Sequence, residues 1–208
     1  MELFALFQKG GPVMYLLLLC SISAVAIFIE RLLFFRKASA GMWAFVEKLP
    51  LLLEGKTWSE AIRACRDEKC APAFVAKEGL QAVAEGRDGE LALENGYGMA
   101  AAKLRSSLNY LSMIVTLAPL LGLLGTIFGM INSFNIFSLQ AGQPLAITGG
   151  IGEALIATAT GLLVAILALI VHSYFSQKMD AVLTAMDSAC AIVNSEFRKR
   201  RQGNAVQT

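Results

Sequence analysis

The sequence predicts an all-α integral membrane protein with three transmembrane helices and long cytoplasmic helical extensions. Three observations carry that prediction. The 208 residues are 56% hydrophobic and only 16% charged, whereas soluble domains carry about 25% charge. Residues 10–29 contain no charge, and residues 106–177 contain a single one, Glu153. A polar cluster, Ser138-Leu139-Gln140-Ala141-Gly142-Gln143-Pro144, divides the longer run in two.

A bilayer core about 30 Å thick needs roughly 20 apolar helical residues at about 1.5 Å rise each. Residues 12–35, 108–137 and 148–175 are therefore the spans. Sidedness follows from Lys and Arg near the membrane ends. Residues 1–11 carry only Lys9, and the loop at 138–147 carries none. Residues 36–105 carry eleven, and the segment after span three adds Lys178 and Arg198-Lys199-Arg200-Arg201. The N-terminus 1–11 and the loop 138–147 are thus predicted outside, with the insert 36–107 and the tail 176–208 in the cytoplasm. Ala38-Ser39-Ala40 resembles a signal-peptide cleavage site. Its positive charges, Arg31, Arg36 and Lys37, follow the apolar run instead of preceding it, so span one reads as a retained anchor.

The insert reads as helical. Thr57-Trp58-Ser59-Glu60 has the form of a capping box. Ala61, Ile62 and Cys65 then recur at helix spacing until Pro72. A second helix is predicted over 73–84, ended by Gly86 and Asp88-Gly89. A third starts near Glu90 and runs unbroken into span two. Span three continues as a helix through 179–200, with a stripe of Met179, Val182, Leu183, Met186, Cys190 and Val193 that suits packing between the cytoplasmic extensions. Arg198 to Arg201 reads as a solvated tail near anionic lipid.

Several function classes are excluded. A net charge of +2 argues against nucleic-acid binding. Cys65 and Cys70 are five apart, the wrong spacing for a zinc knuckle, and His172 is the sole histidine. No metal, cofactor or enzyme activity is expected. The cytoplasmic cysteines read as free thiols.

Spans two and three hold the candidate functional residues. Pro119 removes a backbone hydrogen bond and frees the carbonyl of Val115, which predicts a kink. Gly122, Gly125 and Gly129 form a bare ridge for close helix approach, and Gly161 of span three is a further packing residue. Thr126 beside it has two readings: a hydroxyl bonded back to its own helix, or one lining a polar path. Glu153 also has two: an acid near the outer end, wetted by headgroup water, or one facing a cavity or partner. Thr160 lies about 20° from Glu153 around the helix, while Thr158 lies about 140° away, on the side of Ala154, Gly161 and Ala165. Thr126 and Thr158 fall at similar depths, about 16 and about 14 Å below the outer loop.

The stretch from Pro119 to Gly129, the run Gly152-Glu153-Ala154-Leu155-Ile156-Ala157-Thr158-Ala159 and the hairpin between them resemble the ExbB/TolQ/MotA proton-channel family. Gly10-Gly11-Pro12 to Glu30-Arg31 resembles the first span of short ExbB-like members. By this resemblance Thr126 and Thr158 match the pore threonines and Glu153 the glutamate of span three. Thr160 departs from the family, whose members often carry an apolar residue there. The resemblance implies a homo-oligomer, a pentamer, around a single-span ExbD- or TolR-like partner that supplies an intramembrane aspartate. It also implies a TonB- or TolA-like transducer and the bacterial inner membrane, with a periplasmic N-terminus and cytoplasmic C-terminus. Three spans favour the ExbB/TolQ branch over the MotA branch, and the choice between ExbB and TolQ stays open. Rival readings are a solute-transporter permease subunit, which predicts internal repeats and a broken mid-membrane helix, and a non-conducting membrane scaffold.

Overall fold

A computed structural model describes residues 11–139 and 144–206, with side chains described for 11–135 and 149–202. The N-terminal residues 1–10 and the loop centre 140–143, both expected outside, lie beyond the described residues. Among the described residues the fold is all-α: α1 Val13–Ala38, α2 Met42–Leu53, α3 Trp58–Asp67, α4 Ala71–Ala84, α5 Gly89–Leu139 and α6 Pro144–Val206. Stretches Val13–Leu53, Gly89–Asn135 and Gly149–Gln202 each contain helix long and apolar enough to cross a membrane. α5 is one element through Pro119, and α6 runs unbroken past span three, as the apolar pattern predicts.

The chain divides into two compact units, Met1–Ile29 with Leu108–Tyr174, and Glu30–Ser107 with Phe175–Thr208. In the first, Val13, Met14 and Leu17 of α1 pack with Leu111, Ile114 and Ala118 of α5 and Val164, Ala165 and Ala168 of α6. Its outward surface is also apolar. Leu19, Leu120, Ile127, Leu163 and Ile170 are all at least half exposed. So much bared hydrocarbon suits lipid or a neighbouring subunit and not water.

The second unit is built by turns that the sequence marks. Gly41, at φ +66°, adopts the left-handed turn between α1 and α2, which a side chain would strain. The Thr57 amide donates to the Glu60 carboxylate at 3.0 Å, the reciprocal arm of the capping box, and the Thr57 hydroxyl donates to the same group at 2.8 Å. Pro72 stands in the first turn of α4, so this helix begins at Ala71, two residues before the predicted start. Asp88 Oδ1 accepts the amides of Glu90 and Leu91 and opens α5. The core joins Leu49 and Leu53 of α2, Leu80 of α4 and Leu93 of α5 to Val182, Met186 and Val193 of α6, all fully buried. Phe35 stacks on Phe175 with centroids 5.5 Å apart.

Two features differ from expectation. α2 was not foreseen as a separate helix; it buries Met42, Phe45, Val46, Leu49 and Leu53 despite Pro50 inside it. The basic run near the C-terminus is not simply solvated. Arg200 lies 3.8 Å over the Trp58 ring, bonds the Leu53 carbonyl at 2.6 Å and pairs with Glu196 at 2.7 Å. Arg201 approaches Glu90 at 3.7 Å. Stacking on Trp58 and a bare carbonyl outcompete water for the planar guanidinium of Arg200.

Arg31 takes a role beyond its charge. It is 3% exposed, and a buried guanidinium is tolerated only when its donors are satisfied. Nη1 donates to the carbonyls of Lys103 and Leu104 at 3.3 and 3.1 Å, Nη2 to the hydroxyls of Ser106 and Ser107, and Nε to Glu30 at 3.0 Å. The end of α1 is thereby fastened to one turn of α5.

Candidate functional site

The site is a seam between α5 and α6 made of the smallest side chains in the chain. A Cβ added to Gly125 would meet the Cβ of Ala157 at 2.5 Å, and one on Gly129 that of Ala154 at 2.9 Å. Gly161 faces the Ala118 carbonyl and the Cα of Gly122 at 2.6 and 3.0 Å from an added Cβ, and Gly150 faces the Ser133 hydroxyl. Each step toward the C-terminus of α5 is matched by a step toward the N-terminus of α6, so the helices are antiparallel and in close backbone contact. In lipid, van der Waals contact of this kind drives helix association. The glycine ridge is therefore occupied by the chain's own third span.

Proximity exposes backbone carbonyls to side-chain donors. The Thr158 hydroxyl donates across the seam to the Gly122 carbonyl at 3.0 Å. The Thr126 hydroxyl donates within its own helix to Leu123 at 2.6 Å, and Thr160 does so to Ile156 at 2.8 Å. Gly125 faces Ala157, so Thr126 and Thr158, each the next residue in its helix, lie at one level. Their hydroxyls are not bonded to each other. Each hydrogen is committed to a carbonyl, and each oxygen keeps lone pairs free to accept.

Glu153 is apart from the threonines. Its Oε1 lies 3.0 Å from the position of a Cβ on Gly11, beside the first turn of α1, where the helix dipole favours negative charge. Thr160 is not brought to it by any hydrogen bond, since its hydroxyl turns back on α6.

Sequence reasoning set Gly161 among the packing residues and Ala154 on its side of α6, but did not pair Gly150 or Ala157 with the ridge. Gly150, Ala154, Ala157 and Gly161 follow one another by four, three and four residues, a small-residue stripe like that of Gly122, Gly125, Gly129 and Ser133 on α5, which step by three, four and four. Ser133, 2% exposed, bonds the Gly129 carbonyl at 2.7 Å and so hides its hydroxyl from lipid. Small-residue spacing on α6 was the available signal.

A family model described as the MotA/TolQ/ExbB proton channel family matches residues 68–188, a range that contains the whole seam. This chain belongs to that family. Among its MotA/TolQ/ExbB relatives, an ExbB-like protein of Synechocystis sp. is 34% identical over 196 aligned residues, covering 84% of this chain and 72% of that one. The biopolymer transport protein ExbB of Xanthomonas campestris is 31% identical over 149 residues, 62% of this chain and 59% of its own. The Tol-Pal system protein TolQ of Pseudomonas aeruginosa is 39% identical over 82 residues, 39% of this chain and 36% of its own. MotA/TolQ/ExbB membership, with three apolar helices, makes the chain a multi-pass membrane protein and supports an ion-channel role of the stator kind.

Proposed function

We propose that the chain is the proton-channel stator subunit of a bacterial inner-membrane motor, converting proton motive force into mechanical work on an envelope partner. The single observation that carries this reading is the pair of hydroxyls, Thr126 and Thr158, held level on two closely packed apolar helices. In this proposal copies of the chain, five by family resemblance, surround a single-span ExbD- or TolR-like partner, and a TonB- or TolA-like transducer takes the work. The N-terminus and the loop 138–147 face the periplasm; residues 36–107 and 176–208 face the cytoplasm.

The hydrogen bonds suggest how the threonines handle a proton. Both hydroxyl hydrogens are engaged by carbonyls, so the oxygens present themselves as acceptors. That arrangement suits a protonated carboxyl, which donates, better than a carboxylate, which only accepts. The partner's aspartate passes this level neutral. To hold it ionised, a threonine turns its hydrogen away from the carbonyl, forfeiting a membrane hydrogen bond of about 0.6 to 1.7 kcal/mol. One charge crossing 100 mV releases about 2.3 kcal/mol, enough to drive that exchange. Glu153 stands nearer the outer end, where it would draw protons toward the path, and Thr160 adds a further polar group deeper on the Glu153 side of α6.

The test is proton flux into liposomes holding the chain with its single-span partner. Thr158→Val is expected to lower flux at least about tenfold, because it removes the hydroxyl that serves the carboxyl, while Thr158→Ser keeps most of it. Full flux through Thr158→Val would instead favour a non-conducting scaffold, in which the small residues serve packing alone.

A further inference from the structure

The second unit contains a cavity of 490 Å³ with an unusual three-walled construction. Each wall contributes bulky apolar surface and one lysine. The end of α1 supplies Phe34 and Lys37, α4 supplies Phe74 with Lys69 from the turn just before it, and α5 supplies Met99, Leu104 and Lys103. Phe34 with Lys37, and Met99 with Lys103, are three and four residues apart and so share a helix face. No carboxylate lines the cavity. None of the three lysines is in an ion pair among the described residues. Lys103 Nζ lies 6.0 Å from the Phe34 ring, so charge and apolar surface are within reach of one small molecule.

Neither half of this lining explains the other. A soluble anion has no use for two phenylalanines and a methionine, and an apolar ligand has none for three uncompensated ammonium groups. A molecule with an anionic head and a hydrocarbon body uses both. Its position agrees, because Phe34 and Lys37 bracket the residue at which the first apolar run ends.

We infer that this cavity seats an anionic glycerophospholipid of the inner leaflet, with its phosphate among Lys37, Lys69 and Lys103 and its glycerol and upper chain carbons against Phe34, Phe74 and Met99. Basic pockets beside membrane helices on the cytoplasmic side hold such headgroups. The inference rests on the membrane orientation proposed above and not on conduction. The bound lipid fastens α1, α4 and α5 together where the bilayer ends.

The full chain in neutral detergent, without partner or proton gradient, provides the test. Lipid retention by native mass spectrometry and thermal stability are read with added phosphatidylglycerol, phosphatidylcholine of the same chains, or inorganic phosphate. Phosphatidylglycerol is expected to be retained at least about tenfold over phosphatidylcholine and to raise the unfolding temperature. Lys37→Gln/Lys69→Gln/Lys103→Gln abolishes the preference, the triple Lys→Arg variant preserves it, and Lys56→Gln/Arg63→Gln/Arg66→Gln, removing equal charge from the α3 region, leaves it intact. Equal retention of the two lipids, or a preference surviving the Lys→Gln variant, overturns the assignment. So does inorganic phosphate matching the lipid's stabilisation, or Met99→Cys forming a disulfide between two copies with lipid excluded. Because binding is read without flux, failure of the proton-channel reading leaves these outcomes intact.

Discussion

The Thr158 hydroxyl reaches the carbonyl oxygen of Gly122 at 3.0 Å, where the missing side chain of residue 122 lets the two backbones come close. A Cβ there would stand 3.1 Å from both the Ala157 carbonyl and the Thr158 Cα. Close backbone packing and a hydroxyl shared between two spans thus occupy the same spot, and altering either disturbs the other.

That coupling is measurable as a double-mutant cycle. Thr158→Val is expected to cost about 0.6 to 1.7 kcal/mol of stability in detergent. Gly122→Ala parts the helices and breaks the same bond. The double variant should then lose less than the sum of the two single losses. Strict additivity in denaturant unfolding would show that the bond contributes nothing.

Glycines of α6 should divide by their surroundings. Gly161→Ala places a methyl 2.6 Å from the Ala118 carbonyl, a backbone atom with nowhere to move, and is expected to destabilise by about 1 to 3 kcal/mol. Nothing lies within 4 Å of a Cβ on Gly152, so Gly152→Ala should be neutral or gain a few tenths of a kcal/mol from helix propensity. Thermal unfolding of the purified subunit compares them. Equal losses at both positions would refute the seam as drawn.

These contrasts mark where the sequence was readable. Glu153 and the Gly122, Gly125 and Gly129 ridge could be found because isolation in oil and spacing on one helix are local properties. The partner of that ridge could not, since pairing Gly125 with Ala157 requires the hairpin register. α2 was obscured by Pro50, a helix breaker by local rule, although Met42, Phe45, Leu49 and Leu53 stood at helix spacing. Arg200 was misjudged as a solvated charge because its partner, Trp58, lies far away in sequence. The depth match of Thr126 and Thr158 followed from counting along the hairpin, but the carbonyls that engage their hydrogens depend on atomic packing.

The thiol chemistry of the second unit gives a pH-dependent prediction. Burial pushes the Cys65 thiol up to about 11, with Cys70 adding in the same direction. At pH 8 only about one Cys65 in a thousand is thiolate, so maleimide labelling should be slow in the folded protein and fast after denaturation. An unfolded thiol ionises near pH 8.5, so between that value and about 11 the folded state holds the extra proton. Stability therefore falls as pH rises through this window and is unaffected below it. Rapid labelling of native Cys65 at pH 8 would contradict the burial.

Arg31→Met removes every bond the guanidinium makes and is expected to cost about 2 to 3 kcal/mol. Arg31→Lys should recover only part, because an ammonium lacks the planar fork that reaches two carbonyls and two hydroxyls at once. Unfolding in urea ranks the three proteins. An Arg31→Met variant as stable as the parent would mean that the fastening is dispensable.

The carbonyl and hydroxyl partners of Arg31 lie 72 to 76 residues further along the chain. On the ribosome, the first span emerges before those partners have been synthesised, and until then its arginine has only the adjacent Glu30 and water to bond. Docking of α1 is thus a late event in biogenesis, timed by emergence of the second span and not by insertion of the first.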